Sequence, residues 1–382
     1  MPPDAAAART VALRHAATAA ARPLRVADVA IFYGERSGGI RTCLRAKAEF
    51  AARTGAFEHH LVIPGRSGAD EDTGRHEQRS LRLAASNGYR MPLGGTGLQS
   101  TLRSLAPDIV LLHDPFWTPR MASRTAHDIG AAVVAVHHSS AALHAAGLPG
   151  PHGVYTKALR RWYRRAYLEV DAIMSVVDPV IDTCRASTLR LSLRLGLDSA
   201  FTPDPRISRG SHVLYVGRLS REKGLRTLLE AAAGAGEQWS LVLLGTGPAR
   251  DTLRERARQL GLGDRVRFAP YVADRDELAL AYAGASCVVL PGAHETFGLV
   301  ALEAAACAAP VVTAQTTPSA ALLDGFIDTF QAGNSADLLL AIERARTRVP
   351  DPGAAMALGA RHGWDTALTA ELVDLERLVS GP

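Results

Sequence analysis

The residue types that could do chemistry gather in three places along the 382-residue chain. The run HVLYVGR ends at Gly217 and Arg218, and five residues later Lys223 and Gly224 open the pattern GLRTLLEAAA. An arginine, a lysine and the free N–H groups of a helix start aimed at one point suit a diphosphate. Lysine is scarce, since only Lys47, Lys157 and Lys223 among 43 basic residues are lysines; its presence at 223 is therefore informative. The competing reading is a pair of solvated loop charges. In LPGAHETFGLVALEAAACAAPVV a strand ends at Leu290, a loop carries Glu295, and a helix from near Gly298 carries Glu303. Both carboxylates then face the strand ends, where they can accept hydrogen bonds from hydroxyl groups of a sugar and a ribose. The third place is histidine-rich: His113, His137, His138, His144 and His152 fall close together. Adjacent His137 and His138 at a strand end point to opposite faces, and no H-x-x-x-H helix or cysteine accompanies them, so no metal site is read here. For His113 a structural hydrogen-bonding role and a functional one are equally open.

These groups need elements to hold them. Short, nearly continuous β-branched runs (Val26 to Phe32, His60 to Ile63, Asp108 to Leu112, Ala132 to Val136, Ala172 to Val176) alternate with helical patterns. A second set then begins: His212 to Val216, Ser240 to Leu244, Val266 to Phe268, Ser286 to Leu290 and Val311 to Thr313. Parallel strands need crossovers, and crossover helices bury both faces of the sheet. The expectation is an α/β chain of two doubly wound, Rossmann-like parallel-sheet domains, with ligands beyond the carboxyl ends of the strands in a cleft between them. Gly196 to Gly210, rich in Gly, Pro and Ser, reads as the hinge. The expected boundaries are a disordered extension at 1–23, an N-terminal domain at 24–200, a C-terminal domain at 201–363, and a C-terminal helix at 364–382 crossing back to the first. Pro64 to Gly97 and Ser139 to Gly153 read as long loops. In LVLLGTGPAR, Gly245 and Gly247 make a tight strand-to-helix turn that lacks the third glycine of a dinucleotide fingerprint.

Composition narrows the function classes. Hydrophobic residues make up 47% and charged residues 21%, an ordinary globular balance. A net charge of +5 does not mark a nucleic-acid binder, and no uncharged apolar run is long enough to span a bilayer. Cys43, Cys184, Cys287 and Cys307 are far apart and read as reduced, buried thiols. The alanine-rich start lacks the features of a secretory signal, which favours the cytoplasm. Two D-x-D strings, Asp70 to Asp72 and Asp274 to Asp276, read as a polar loop and a helix start. The segment YTKALRRWYRRAY places Lys157, Arg160, Arg161, Arg164 and Arg165 on one helical face. That face reads as solvated, or as a peripheral contact with an anionic membrane at its inner face.

VGRLSREKG, LLGTGP and HETFGLVALEAAACAAPVV together resemble the C-terminal domain of the retaining glycosyltransferases of family 4, which have the GT-B fold. SGGIRTCL, PDIVLLHDP and VVAVHHSS resemble that family's N-terminal glycine loop and its two histidine-bearing strand ends. The resemblance runs from about Val26 to the end. It implies metal-independent transfer of a hexose from a UDP- or GDP-linked sugar to an acceptor hydroxyl, with retention of configuration and no cofactor beyond the nucleotide sugar itself. In it Arg218 and Lys223 neutralise the diphosphate, Glu303 holds the ribose, Glu295 contacts the donor sugar, and the N–H groups around Phe297, Gly298 and Leu299 line sugar and phosphate. Gly38, Gly39 and Gly245 let backbone approach the donor. His137 lies nearest the reacting carbon, with His138 as the fallback. The acceptor is open, a lipid-linked glycan or polysaccharide being in keeping with the family. Cys307-Ala308-Ala309-Pro310 departs from the family by lacking the usual glycine before the proline, and TTPSAALLD lacks a glycine pair and a glutamate. Those departures motivate the alternative of a catalytically degenerate nucleotide-sugar-binding or regulatory protein on the same fold. A glycoside hydrolase using Glu295 and Glu303 is rejected, because nothing offers the facing geometry hydrolysis requires.

Overall fold

The computed structural model describes residues 22–34, 38–66, 68–70, 74–82, 89–113, 115–138, 140–146, 148, 150–176 and 188–380. Residues 1–21, Asp72 and Cys184 lie outside them, as do parts of the two expected long loops. In chain order the elements begin β1 (Leu24–Val29), α1 (Gly39–Thr54), β2 (Phe57–Gly65), β3 (Gly68–Asp70), β4 (Arg75–Arg82), β5 (Arg90–Pro92), α2 (Thr96–Leu105) and β6 (Ile109–Leu112). There follow α3 (Pro119–Asp128), β7 (Ala132–His137), α4 (Ala141–Ala146), α5 (His152–Ala166), β8 (Ala172–Ser175) and β9 (Leu189–Ser192). The second half continues with β10 (Val213–Val216), α6 (Leu225–Gly234), β11 (Leu241–Leu244), α7 (Arg250–Gln259), β12 (Val266–Ala269), α8 (Arg275–Ala283), β13 (Cys287–Leu290) and α9 (Leu299–Ala306). It closes with β14 (Val311–Ala314), β15 (Ile327–Phe330), α10 (Ser335–Thr347), α11 (Pro352–Arg361) and α12 (Trp364–Ser380).

The chain divides into two compact units. One comprises Met1–Ser139, Val154–Gly196 and Trp364–Pro382; the other comprises Ser140–Gly153 and Leu197–Gly363. The first unit is built on a sheet of order β3-β4-β2-β1-β6-β7-β8-β9, with β5 paired to β4. Its strands from β4 through β9 run parallel, while β3 and β5 are antiparallel to β4. The central strands IVLL of β6 and AVVAVH of β7 are buried at every position, which is why they read as unbroken apolar runs. One face of this sheet packs Val26, Ile109, Leu111, Val134 and Val136 against Phe50 of α1 and Leu368, Leu375 and Val379 of α12. The second unit has an all-parallel sheet of order β12-β11-β10-β13-β14-β15.

Two expectations need correction. Pro64 to Gly97 is not one long loop, because the end of β2 and the strands β3, β4 and β5 lie within it, with Asp70 in β3 rather than in a loop. Strand β4, RHEQRSLR, buries only Ser80, so the apolar signal of a central strand is missing. Ser139 to Gly153 likewise contains the helix α4. By contrast Asp274 accepts a hydrogen bond from the Glu277 N–H at 2.9 Å and caps α8. Cys43, Cys287 and Cys307 are buried free thiols, and burial pushes each up to about 12.

Ala308, where the family's glycine is missing, follows the end of α9 with φ +55°. A left-handed residue just past a helix end is glycine's place, since a β-carbon costs about 1–2 kcal/mol there. Ala308→Gly is therefore expected to stabilise the second unit by about 1 kcal/mol after the entropy of a freer unfolded chain is deducted, which a shift in the urea midpoint would register.

Candidate active site

In the second unit the loops after β10, β11 and β13 meet at the carboxyl edge of three adjacent strands. A β-carbon on Gly245, at φ +145°, would lie 2.0 Å from the Gly217 carbonyl oxygen, so the first two of these turns touch backbone to backbone and glycine is obligatory. A short 3-10 turn, Arg221–Lys223, follows Ser220, and α6 begins after Gly224. Lys223 points its ammonium at the Glu295 carboxylate, with Nζ donating to Oε1 at 2.8 Å and Oε2 at 2.9 Å. That brings together two residues 72 positions apart. Arg218 lies on the β10 loop with its side chain exposed, and its carbonyl accepts a hydrogen bond from the Tyr215 hydroxyl at 2.8 Å. Gly298 has φ +89° and leads directly into α9. The Phe297 carbonyl accepts from the Ser319 N–H at 2.9 Å, and Leu299 is the first helical residue, a position whose N–H has no partner within a helix.

Glu303 has partners that the sequence did not show. Its side chain is buried on α9. Oε2 accepts from the Tyr282 hydroxyl at 2.7 Å, and the Arg275 guanidinium lies 3.7 Å from Oε1. Burial pushes this carboxyl up to about 7, against the Tyr282 hydrogen bond and the charge of Arg275. Neither partner was visible in the sequence. Tyr282 sits at a core position of RDELALAYA, and Arg275 reads as an ordinary first-turn residue.

The raised Glu303 carboxyl sets a sign. A group whose folded value exceeds its unfolded value keeps its proton longer in the folded state, so stability falls as pH rises from about 4.5 to about 7. Glu303→Gln retains an acceptor for Tyr282 and removes the charge. Denaturation at pH 5 and pH 8 should show the variant gaining on the wild type at the higher pH.

In the first unit, Gly38 and Gly39 precede and open α1, which has no side-chain cap. A β-carbon at either would meet nothing within 4 Å, so among the described residues no neighbour demands glycine there. His137, the sequence's first choice, is buried in β7 with its ring edge-on to Tyr163 at 5.5 Å and Tyr167 at 6.2 Å. His138, one residue on, turns to the opposite face, where its ring lies at 17° to that of His113 with centroids 5.0 Å apart. The alternation of a strand puts the two on opposite faces of the sheet. Lys157, Arg160, Arg161, Arg164 and Arg165 of α5 are all exposed, around a buried Tyr163. Among the described residues no helix is long and apolar enough to cross a membrane.

Residues 37–187 match the model of Glycosyltransferase Family 4, and residues 204–328 match that of Glycosyl transferases group 1. A GDP-mannose-dependent alpha-(1-6)-phosphatidylinositol dimannoside mannosyltransferase of Mycobacterium tuberculosis is 30% identical over 319 residues, covering 77% of this chain and 80% of its own. The chain belongs to glycosyltransferase family 4. This glycosyltransferase is also 34% identical over 204 residues to a D-inositol 3-phosphate glycosyltransferase of Xylanimonas cellulosilytica, covering 50% of this chain and 45% of that one. Its fold is GT-B. Sucrose-phosphate synthase from Thermosynechococcus elongatus superposes with TM-score 0.72 at 18% identity, over 94% of this chain and 100% of that one. The Anabaena protein HepE in complex with UDP-glucose gives TM-score 0.70 at 17% identity, over 92% and 99%.

Proposed function

We propose that this glycosyltransferase moves a hexose from a nucleotide diphosphate to an acceptor hydroxyl with retention of configuration and without a metal ion. The observation that carries the reading is Lys223 held against Glu295 on the loops where the β10 and β13 strands end, with Arg218 exposed on the first of those loops. Two cations there meet the charge that a departing nucleoside diphosphate gains as its bond to the anomeric carbon lengthens. The acceptor oxygen bonds to that carbon on the face the diphosphate leaves, and the acceptor's proton passes to the departing phosphate oxygen. Glu295, oriented by Lys223, takes sugar hydroxyls. Glu303, clamped by Tyr282 and Arg275, takes the ribose, and the N–H groups of Phe297, Gly298 and Leu299 take sugar and phosphate oxygens. Gly245 keeps its loop clear of side-chain bulk. Among the two histidines at the end of β7, the reading favours His138, since His137 is walled in by tyrosines.

The relative covering four-fifths of its own length is GDP-mannose dependent, which puts GDP-mannose first among donors to test. Names of two relatives carry inositol phosphates, and an anionic acceptor of that kind suits the five exposed cations of α5. A thermal-shift screen of GDP, UDP and ADP and their sugars tests the donor. A ligand at a hundred times its Kd stabilises by about 2.7 kcal/mol; no shift with any of them would overturn the reading.

A further inference from the structure

We propose that Asp28 and His113 form a positioning pair for His138, fixing its imidazole in the tautomer whose Nδ1 accepts a hydrogen bond from a substrate hydroxyl. The substrate half of this rests on the transfer reading above. Register brings the three residues together. Asp28 of β1 lies opposite Leu111 of β6, and Leu111 lies opposite Val134 of β7. His113 is two residues beyond Leu111, and His138 four beyond Val134. All three side chains therefore share one face, the one covered by α1 and α12, and step across adjacent strands toward the carboxyl edge.

Their hydrogen bonds have a direction. Asp28 is fully buried and its carboxylate can only accept. His59 Nε2 lies 2.7 Å from Oδ2, His113 Nε2 lies 2.5 Å from Oδ1, and Lys47 Nζ lies 3.4 Å from Oδ1. Lys47 is anchored on its other side by Glu371 of α12 at 2.6 Å. Burial opposes the Asp28 charge, yet Lys47, His113 and His59 together hold the carboxyl well below its usual range. His113 Nε2 must then carry a proton to donate. A single ring proton, placed on Nε2 by Asp28, leaves Nδ1 as the acceptor, and Nδ1 faces His138 Nε2 at 2.7 Å. His138 Nε2 donates in turn, which puts the remaining lone pair on Nδ1. Desolvation in the packing around His138 holds it well below the usual histidine range. A buried carboxylate that orients one histidine through another gives His138 a fixed acceptor, where an unsupported imidazole would exchange tautomers.

The test is a long-range proton–nitrogen NMR spectrum of the full chain labelled in its histidines, with His138 assigned from His138→Gln. The expected spectrum shows His138 protonated at Nε2 and bare at Nδ1. His113→Phe should give a mixture of tautomers, with kcat down about tenfold or more and the donor KM within twofold. A wild-type His138 protonated at Nδ1, or an even mixture, would overturn the pair while leaving the donor reading intact. Unchanged kcat in a folded His113→Phe would also overturn it. A wild-type chain that moves no sugar from any nucleotide sugar overturns the donor reading, and the substrate half of the proposal with it; the spectrum still decides the tautomer. Should His113→Phe fail to fold, the wild-type spectrum alone decides.

Discussion

Asp28→Ala is expected to destabilise the first unit by about 3–5 kcal/mol, the range found when one partner of a buried ionic cluster is removed. Three donors, from Lys47, His59 and His113, converge on this carboxylate, and all four side chains are buried. The alanine leaves both imidazoles without their acceptor and Lys47 with Glu371 alone. Thermal unfolding should fall on the order of 10 °C for that unit. The sign of the pH dependence follows from the depressed carboxyl. Folded, Asp28 binds its proton less readily than in the unfolded chain, so its stabilisation is complete above the ordinary aspartate value near 4 and is lost as pH falls through the folded value. Wild type and variant should thus converge on acidification and differ most near neutrality. A variant as stable as the wild type at pH 7 would show that the cluster contributes nothing net.

Lys223→Ala should lower transfer by about ten- to a hundredfold, since a hydrogen bond to a charged group contributes about 1.5–3 kcal/mol. The structure adds a second consequence. Lys223 touches both oxygens of Glu295, a carboxylate only 13% exposed, so the alanine also frees an anion beside the proposed diphosphate. A double-mutant cycle with Glu295→Gln separates the two effects. Partial recovery of donor binding in the double variant is expected if the freed carboxylate repels the phosphates. Wild-type kcat/KM in Lys223→Ala would remove the residue from the site.

Much of the second unit was legible because its candidate residues lie on the turns that follow buried strands. Arg218, Gly245, Lys223, Glu295 and Gly298 each lie between the end of a strand and the start of the next helix, and local sequence places such residues at the carboxyl edge without knowledge of the tertiary fold. Two outer strands of the first sheet were not legible. Polar β4 and the exposed LRLS of β9 carry no apolar run, because a strand with a solvated face has no reason to be uniformly hydrophobic. Nor was Glu303's environment, since Tyr282 and Arg275 are 21 and 28 residues away and reach it only through the packing of α8 against α9.

By itself the sequence determined the two series of parallel strands, the family, and the residues on the turns that follow those strands, all of which depend on local pattern. Tertiary structure alone decided which of two neighbouring histidines faces the tyrosines and which joins Asp28, and whether Lys47 is a surface charge or the center of a buried cluster. Those outcomes depend on strand register and on a helix contributed from the far end of the chain, and hydrogen bonds between residues 85 or more positions apart leave no trace in local spacing.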